Sequence, residues 1–207
     1  LCDLHVELGG KIVDFAGWEM PVQYPMGIMG EHKHCRAKAA LFDVSHMGQA
    51  ILRGADVATS FEKLVPGDIA GLAPGQMRYT LLLNENGGIR DDLMVTRIQE
   101  NGAFVLFLVV NAACKDADFA YIANSLDGEA ALEIFEDRAL LALQGPSAEV
   151  VLAELAPTCR DLVFLEGRDM DFDGVSAFGA RAGYTGEDGY EVSLPAAVAT
   201  AFAEKLL

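Results

Sequence analysis

The chain has no basic surplus, no long apolar run, no paired cysteines and no phosphate-binding glycine loop. Each absence removes a class of function. Lys and Arg number 15 against 31 Asp and Glu, a formal net charge of −16 at pH 7. Nucleic-acid binding needs cationic side chains that displace counterions from phosphates, so no nucleic acid is expected as a partner. No stretch reaches the roughly 18 apolar residues of a membrane-crossing helix. The longest apolar run, Phe104 to Val110, has the length of a strand, so no membrane partner is expected either. No secretory leader is legible. Cys2, Cys35, Cys114 and Cys159 are scattered, without a CxxC pair. That disfavours a zinc ribbon and a thioredoxin-like redox site, and fits reduced thiols in a cytoplasm or mitochondrial matrix. Gly9-Gly10-Lys11 lacks the spacing of a P-loop, and no GxGxxG opens a βαβ unit. Ser45 and Ser147 lack the setting of a nucleophile elbow. Nucleotide hydrolysis, hydride transfer on a dinucleotide fold and serine hydrolysis are therefore disfavoured.

What is present is a chain of 207 residues, 52% hydrophobic. That is enough apolar material for one large or two small domains. No internal repeat or low-complexity tract interrupts it. Met26 to Ala40 reads as a helix and Phe42 to Leu52 as mostly strand. Val57 to Leu64 reads as a short helix closed by Pro66-Gly67. Strands are expected at Met77–Leu83 and Leu93–Arg97, joined by the turn Asn84 to Gly88. A buried strand at Phe104–Val110 and an amphipathic helix at Lys115–Ser125 follow. Further strands are expected at Leu132–Glu136, Leu140–Gln144, Arg168–Phe172, Val175–Arg181 and Tyr190–Leu194. Ser147 is placed to cap a helix running to about Leu155, and Pro195 to open a last one. Strands that follow strands through short polar turns favour antiparallel sheets with flanking helices, hence an α+β fold.

Two glycine-bounded acidic corners stand out, GGIRDDLM (Gly87 to Met94) and GYTGEDGYE (Gly183 to Glu191). Glycine permits close backbone approach and positive φ, so carboxylates beside such corners can face a ligand rich in N–H donors. In an alternating strand Asp91 and Asp92 point to opposite faces, so only one can address a given cleft. Thr185, Glu187 and Asp188 also suit a plain hairpin turn. Glu191 lies beyond that turn, in the strand, and can point inward. A buried carboxylate needs donors, because an unpaired buried charge is costly. Glu31, His34 and Cys35 sit at helical spacing, yet a partly exposed helix face is the simpler reading than a metal site. His46 lies in DVSHMGQ, at a junction of strand and loop.

Six segments in register, FAGWEMPVQY (Phe15 to Tyr24), LFDVSHMGQ (Leu41 to Gln49), GGIRDDLM, VVNA (Val109 to Ala112), LLALQGP (Leu140 to Pro146) and GYTGEDGYE, resemble one known family. It is the aminomethyltransferase, or T protein, of the glycine cleavage system. The resemblance runs over essentially the whole chain. It implies a folate enzyme that takes an aminomethyl group from the lipoyl arm of the H protein. The carbon passes to tetrahydrofolate, ammonia is released, and the reduced lipoyl arm stays on the H protein. It implies a fold of three domains around a folate-binding channel. Residues 1–48 and 137–207 would form a discontinuous first domain, and 49–136 an inserted ferredoxin-like second domain. The family's third, barrel domain and a folate-binding arginine lie beyond the segment present here.

By motif, the resemblance implies Asp92 as the catalytic carboxylate, with Asp91 its structural neighbour. Glu191 corresponds to the pterin-binding carboxylate. Tyr184, Asn111 and Met47 correspond to pocket-lining positions, and Tyr79 is a further candidate. Ala180-Arg181-Ala182 departs from the serine-arginine-threonine often found before GYTG. A carboxylate can accept two adjacent pterin N–H groups as a bidentate pair. A second one can orient the attacking amine and stabilise positive charge on the transferred carbon. No metal is required. Two alternatives remain open on the sequence, a folate-dependent demethylase of the same superfamily and a non-catalytic folate-binding protein.

Overall fold

A computed structural model describes residues 1–207. In chain order the elements are α1 (Cys2–Glu7), β1 (Ile12–Phe15), β2 (Trp18–Pro21), α2 (Ile28–Ala37), β3 (Ala40–Asp43), β4 (Gly48–Arg53), α3 (Val57–Phe61), β5 (Met77–Leu83), β6 (Ile89–Glu100), β7 (Ala103–Val110), α4 (Lys115–Ser125), β8 (Ala131–Ile134), β9 (Arg138–Gln144), α5 (Ala148–Leu152), a 3-10 turn (Pro157–Asp161), β10 (Glu166–Phe172), β11 (Val175–Arg181), β12 (Gly189–Pro195) and α6 (Ala196–Leu206). No helix is long and apolar enough to cross a membrane. The fold is α+β, with antiparallel sheets and flanking helices.

The chain divides into two compact units. One comprises Leu1–His46, Arg138–Phe164 and Asp169–Leu207, the other Met47–Asp137 and Leu165–Arg168.

The first unit is built on a sheet ordered β10-β11-β12-β9-β3. Its helix-covered face follows from simple alternation. Ala139, Leu141 and Leu143 of β9 and Tyr190, Val192 and Leu194 of β12 join Leu152 of α5 and Ala199 and Phe202 of α6 in one core. Residues of opposite parity, Ala142, Gln144 and Glu191, therefore stand on the other face. A two-stranded hairpin, β1-β2, turns at Ala16 and Gly17, with φ of 52° and 86°. Two successive positive φ values make the tight turn that matches strand twist. Its flanking rings, Phe15 and Trp18, each lie 6.2 Å from the ring of His46.

The second unit carries the sheet β5-β6-β7-β4-β8. Leu93 and Val95 of β6 and Leu106, Leu108 and Val110 of β7 pack with Phe61 of α3 and with Phe119 and Ile122 of α4. Asp91 shares parity with Leu93 and faces this helix layer. Asp92 shares parity with Met94 and faces away from it.

Several expected elements need correction. The helix expected over Met26–Ala40 stops at Ala37, because Ala40 to Asp43 pair with Leu141 to Gln144. Phe42 to Leu52 is two strands in two different sheets, β3 and β4, with a turn between them. β6 begins at Ile89, four residues before the expected Leu93. Ser147 occupies the N-cap position before α5, as expected, but makes no side-chain capping bond, and the helix stops at Leu152. Gly145 fits its place: at φ +125° a Cβ would stand only 2.4 Å from the Lys38 carbonyl oxygen.

Candidate functional site

In the second unit the chemistry gathers at one end of β6 and β7. The β5–β6 register runs Leu81 opposite Asp92 and Leu82 opposite Asp91, then shifts so that Leu83 lies opposite Ile89. Arg90 is thus an extra residue, a bulge that re-aims the side chains beside it. The Arg90 guanidinium stacks 4.1 Å above the Tyr121 ring of α4. Asn111 follows β7, and its Nδ2 reaches both aspartates. It donates to Asp91 Oδ1 at 2.9 Å, to Asp92 Oδ1 at 3.1 Å and to the Asp92 carbonyl at 3.2 Å. One amide nitrogen thus ties together two carboxylates that alternation sends to opposite faces.

Tyr79 is exposed and stands in register with Met94, on the Asp92 face. Its phenol pKa is raised, by desolvation first and then by the charge of Asp92 and a hydrogen bond to it. Met47 is half-buried immediately before Gly48, which pairs with Val110 next to Asn111. The strand ends therefore bring Asp92, Asn111, Tyr79 and Met47 to one end of the sheet in this unit.

Behind Asp91, on the helix side, stand Cys114 and Asp118. Ligating atoms of Asp91, Cys114 and Asp118 all lie within 4.8 Å of one another. Asp118 is only 3% exposed. Burial, then the hydrogen bond and charge of Asp91, push its carboxyl up to about 7. The Cys114 thiol is also raised, chiefly by the charge of Asp91, so it is held as S–H. Metals bind thiolate, so this trio is a poor cation site.

In the first unit, Glu191 of β12 is 9% exposed. Its cross-strand neighbours are Ala142 on β9 and Ala180 on β11. Methyl groups on both sides supply no donors. Tyr184 donates from Oη to Glu191 Oε2 at 3.3 Å. Burial pushes the Glu191 carboxyl up to about 7, and the Tyr184 bond opposes this only in part. The Tyr184 phenol is raised too, by burial first and by the Glu191 charge second.

The loop that carries Tyr184 hangs on Gln144, a residue that sequence reasoning did not single out. Gln144 is buried on the Glu191 face. Its Nε2 donates to the Ala182 carbonyl at 2.9 Å, and its Oε1 accepts the Tyr184 N–H at 2.9 Å. Gly189 is required beside it, because a Cβ there would stand 2.3 Å from Gln144 Nε2. The other acids of the turn are engaged elsewhere. Glu187 pairs with Arg36 at 3.0 Å and Asp188 with Arg181 at 2.5 Å. Glu31 accepts the Tyr24 N–H and Cys35 donates to the Gln144 carbonyl, so these two helix residues have protein partners of their own.

The profile of the GCVT N-terminal domain matches residues 1–207. The mitochondrial aminomethyltransferase of Solanum tuberosum is 45% identical over 214 residues, which cover all of this chain and 52% of that protein. An aminomethyltransferase of Natranaerobius thermophilus is 41% identical over 209 residues, covering all of this chain and 56% of its own length. Among solved structures, the glycine cleavage system aminomethyltransferase T from Bartonella henselae matches with a TM-score of 0.91 at 45% identity. That match covers 99% of this chain and 55% of the other. The chain spans about half the length of the curated relatives it matches.

Proposed function

The chain belongs to the GCVT N-terminal domain family, and on that premise we propose that it is part of a tetrahydrofolate-dependent aminomethyltransferase of the glycine cleavage system. The substrates are an aminomethyl group on the lipoyl arm of the H protein and tetrahydrofolate. The products are 5,10-methylenetetrahydrofolate, ammonia and the reduced lipoyl arm. One carbon–sulfur and one carbon–nitrogen bond break and two carbon–nitrogen bonds form. The two protons given up by the folate amines leave with ammonia and the thiol, so no oxidant is needed.

The observation that carries this reading is Glu191, a buried carboxylate flanked by Ala142 and Ala180. Its raised pKa marks a charge short of donors. A pterin edge, with an amino group beside a ring N–H, supplies two parallel donors, and a bidentate pair fixes orientation as well as adding energy. Tyr184 steadies the carboxylate, and Gln144 steadies the loop that carries Tyr184.

Folate supplies the two amine nitrogens that accept the carbon. Asp92 orients the attacking amine and stabilises cationic character on the transferred carbon. Asn111 holds Asp92 in place, and Met47 and Tyr79 shape its surroundings. Residues 1–48 and 137–207 serve as the folate-binding domain and 49–136 as the inserted, ferredoxin-like domain carrying the catalytic carboxylate. A cytoplasm or mitochondrial matrix suits four cysteines that are all free.

The test is tetrahydrofolate-dependent ammonia release by the full-length protein with aminomethyl-lipoyl H protein. Turnover supports the proposal. No turnover with H protein, together with turnover of an N-methyl or sulfonium donor, favours the demethylase reading. Folate binding without turnover of either favours a binding protein.

A further inference from the structure

Asp91 and Asp118 are the two groups in the second unit that the proposed chemistry leaves unexplained. Each has a buried Oδ2 with no hydrogen-bond partner outside the trio of Asp91, Cys114 and Asp118. They come from different elements, β6 and α4, and their carboxylate oxygens lie within 4.8 Å of each other. Asp118 is buried and Asp91 half-buried; two anions at this separation repel, and like charges sharing a site drive one of them to hold its proton. The surrounding groups do not remove the conflict. From β6, Arg90 lowers the Asp118 pKa, but its effect ranks below burial and Asp91. From α4, the protonated Cys114 thiol, a weak donor, hydrogen-bonds Asp91 and leaves the Asp118 carboxyl unanswered, and Lys115 opens the same helix. From β5, the Tyr79 phenol is neutral and addresses Asp92. From the end of β7, Asn111 spends its Nδ2 on Asp91 Oδ1 and on Asp92.

We propose that Asp118 and Asp91 share one proton, and that this pair is the positioning device for Asp92. The proton resides on Asp118 and is donated to Asp91 Oδ2. Asp91 remains an anion, and its Oδ1 fixes the Asn111 amide. Asn111 in turn fixes Asp92 Oδ1. Asp118 is thus a positioning residue, three links from Asp92 and touching none of the reacting atoms. It acts only while it is protonated. Loss of its proton sets two anions against each other and loosens the Asn111 clamp. The catalytic consequence rests on the function proposed above; the shared proton and the clamp do not.

The test uses the full-length protein with 13C-labelled aspartate carboxyls and 15N-labelled asparagine. Asp118 is expected to titrate near 7. The Asn111 side-chain N–H signals should be slow to exchange at pH 6 and faster at pH 8.5. Asp118→Asn keeps an N–H donor toward Asp91, so it should hold the Asn111 signals protected at both pH values. Asp118→Ala should leave them unprotected at both. With H protein and saturating folate, Asp118→Ala should lower kcat about tenfold with little change in KM, the scale of one lost hydrogen bond. Asp118→Asn should stay within about threefold of wild type. These NMR readouts stand whether or not the protein transfers aminomethyl groups, so failure of the assay alone counts against the function and not against the pair. Titration of Asp118 near 4 would overturn the proposal. So would uptake of one equivalent of zinc or calcium that Asp118→Asn abolishes, or Asn111 protection that ignores both variants.

Discussion

The hydroxyl of Tyr184 donates to Oε2 of Glu191 across 3.3 Å, a long bond from a neutral phenol to a buried carboxylate. Typical O–H···O bonds are nearer 2.7–2.8 Å. The contact is too weak to hold the charge of Glu191, whose pKa stays near 7. A ligand that brings two N–H donors should do what Tyr184 does not. Glu191→Gln turns one acceptor into a donor facing a donor edge. Folate binding should weaken by roughly 2–3 kcal/mol, the range for a charge-assisted hydrogen bond. Calorimetry on the full-length variant reads this directly, and an unchanged affinity would put Glu191 outside the binding site.

Folate binding should also release protons. Free Glu191 is about half protonated near pH 7, and a bidentate donor pair lowers its pKa in the complex. Affinity should therefore rise as pH increases toward 7 and level off above it. Calorimetry in buffers of different ionisation enthalpy measures the protons directly. Net proton uptake at pH 6.5 would contradict this role for Glu191.

Stability of the ligand-free protein should depend on pH in the opposite sense. The folded-state pKa values of Glu191 and Asp118 are raised to about 7, above the ordinary values of 4.5 and 3.8 for such carboxyls. The folded protein holds protons that the unfolded chain has released. These two sites are therefore least costly at low pH, and their stability is lost as pH rises through about 7. Glu191→Gln should remove its share of the slope. The stability difference between wild type and variant should shift by on the order of 2 kcal/mol between pH 5 and 8. Urea unfolding at the two pH values checks it; parallel curves would rule out a perturbed Glu191.

Gln144→Leu should loosen the Tyr184 loop. It strands the Ala182 carbonyl and the Tyr184 N–H, each a group whose burial without a partner costs about 1–3 kcal/mol. Hydrogen exchange over residues 182–188 should speed up and folate affinity should fall. Unchanged exchange there would mean that the ion pairs of Arg36 and Arg181 hold the turn by themselves.

Local pattern carries a large part of this fold. Val175–Arg181, Met77–Leu83 and Lys115–Ser125 have the bounds that their periodicity and turn residues predict. Misjudged bounds are those decided by distant pairing. Nothing local says that Ala40 must leave a helix to pair with Gln144, more than a hundred residues later. Ile89 to Asp92 look too charged for a strand, yet pairing with β5 draws them in. The site divides in the same way. Asp92, Asn111 and Glu191 stand in motifs whose chemistry can be named. Asp118 and Gln144 cannot be found so, because an aspartate in the first turn of a helix and a glutamine at a strand end are common. Their meaning comes only from what folding brings against them, Asp91 in one case and the backbone of residues 182–184 in the other.

The most direct measurement is turnover of Asp92→Asn beside Asp91→Asn, in the full-length protein, with aminomethyl-lipoyl H protein and saturating tetrahydrofolate. Asp92→Asn keeps shape and removes charge, so kcat should fall at least about 100-fold, the scale of losing one strong electrostatic contact in a transition state. Asp91→Asn should be milder, because it disturbs only the support of Asn111. Near-normal turnover by Asp92→Asn, or a dead Asp91→Asn beside it, would contradict the assignment of Asp92 as the catalytic carboxylate.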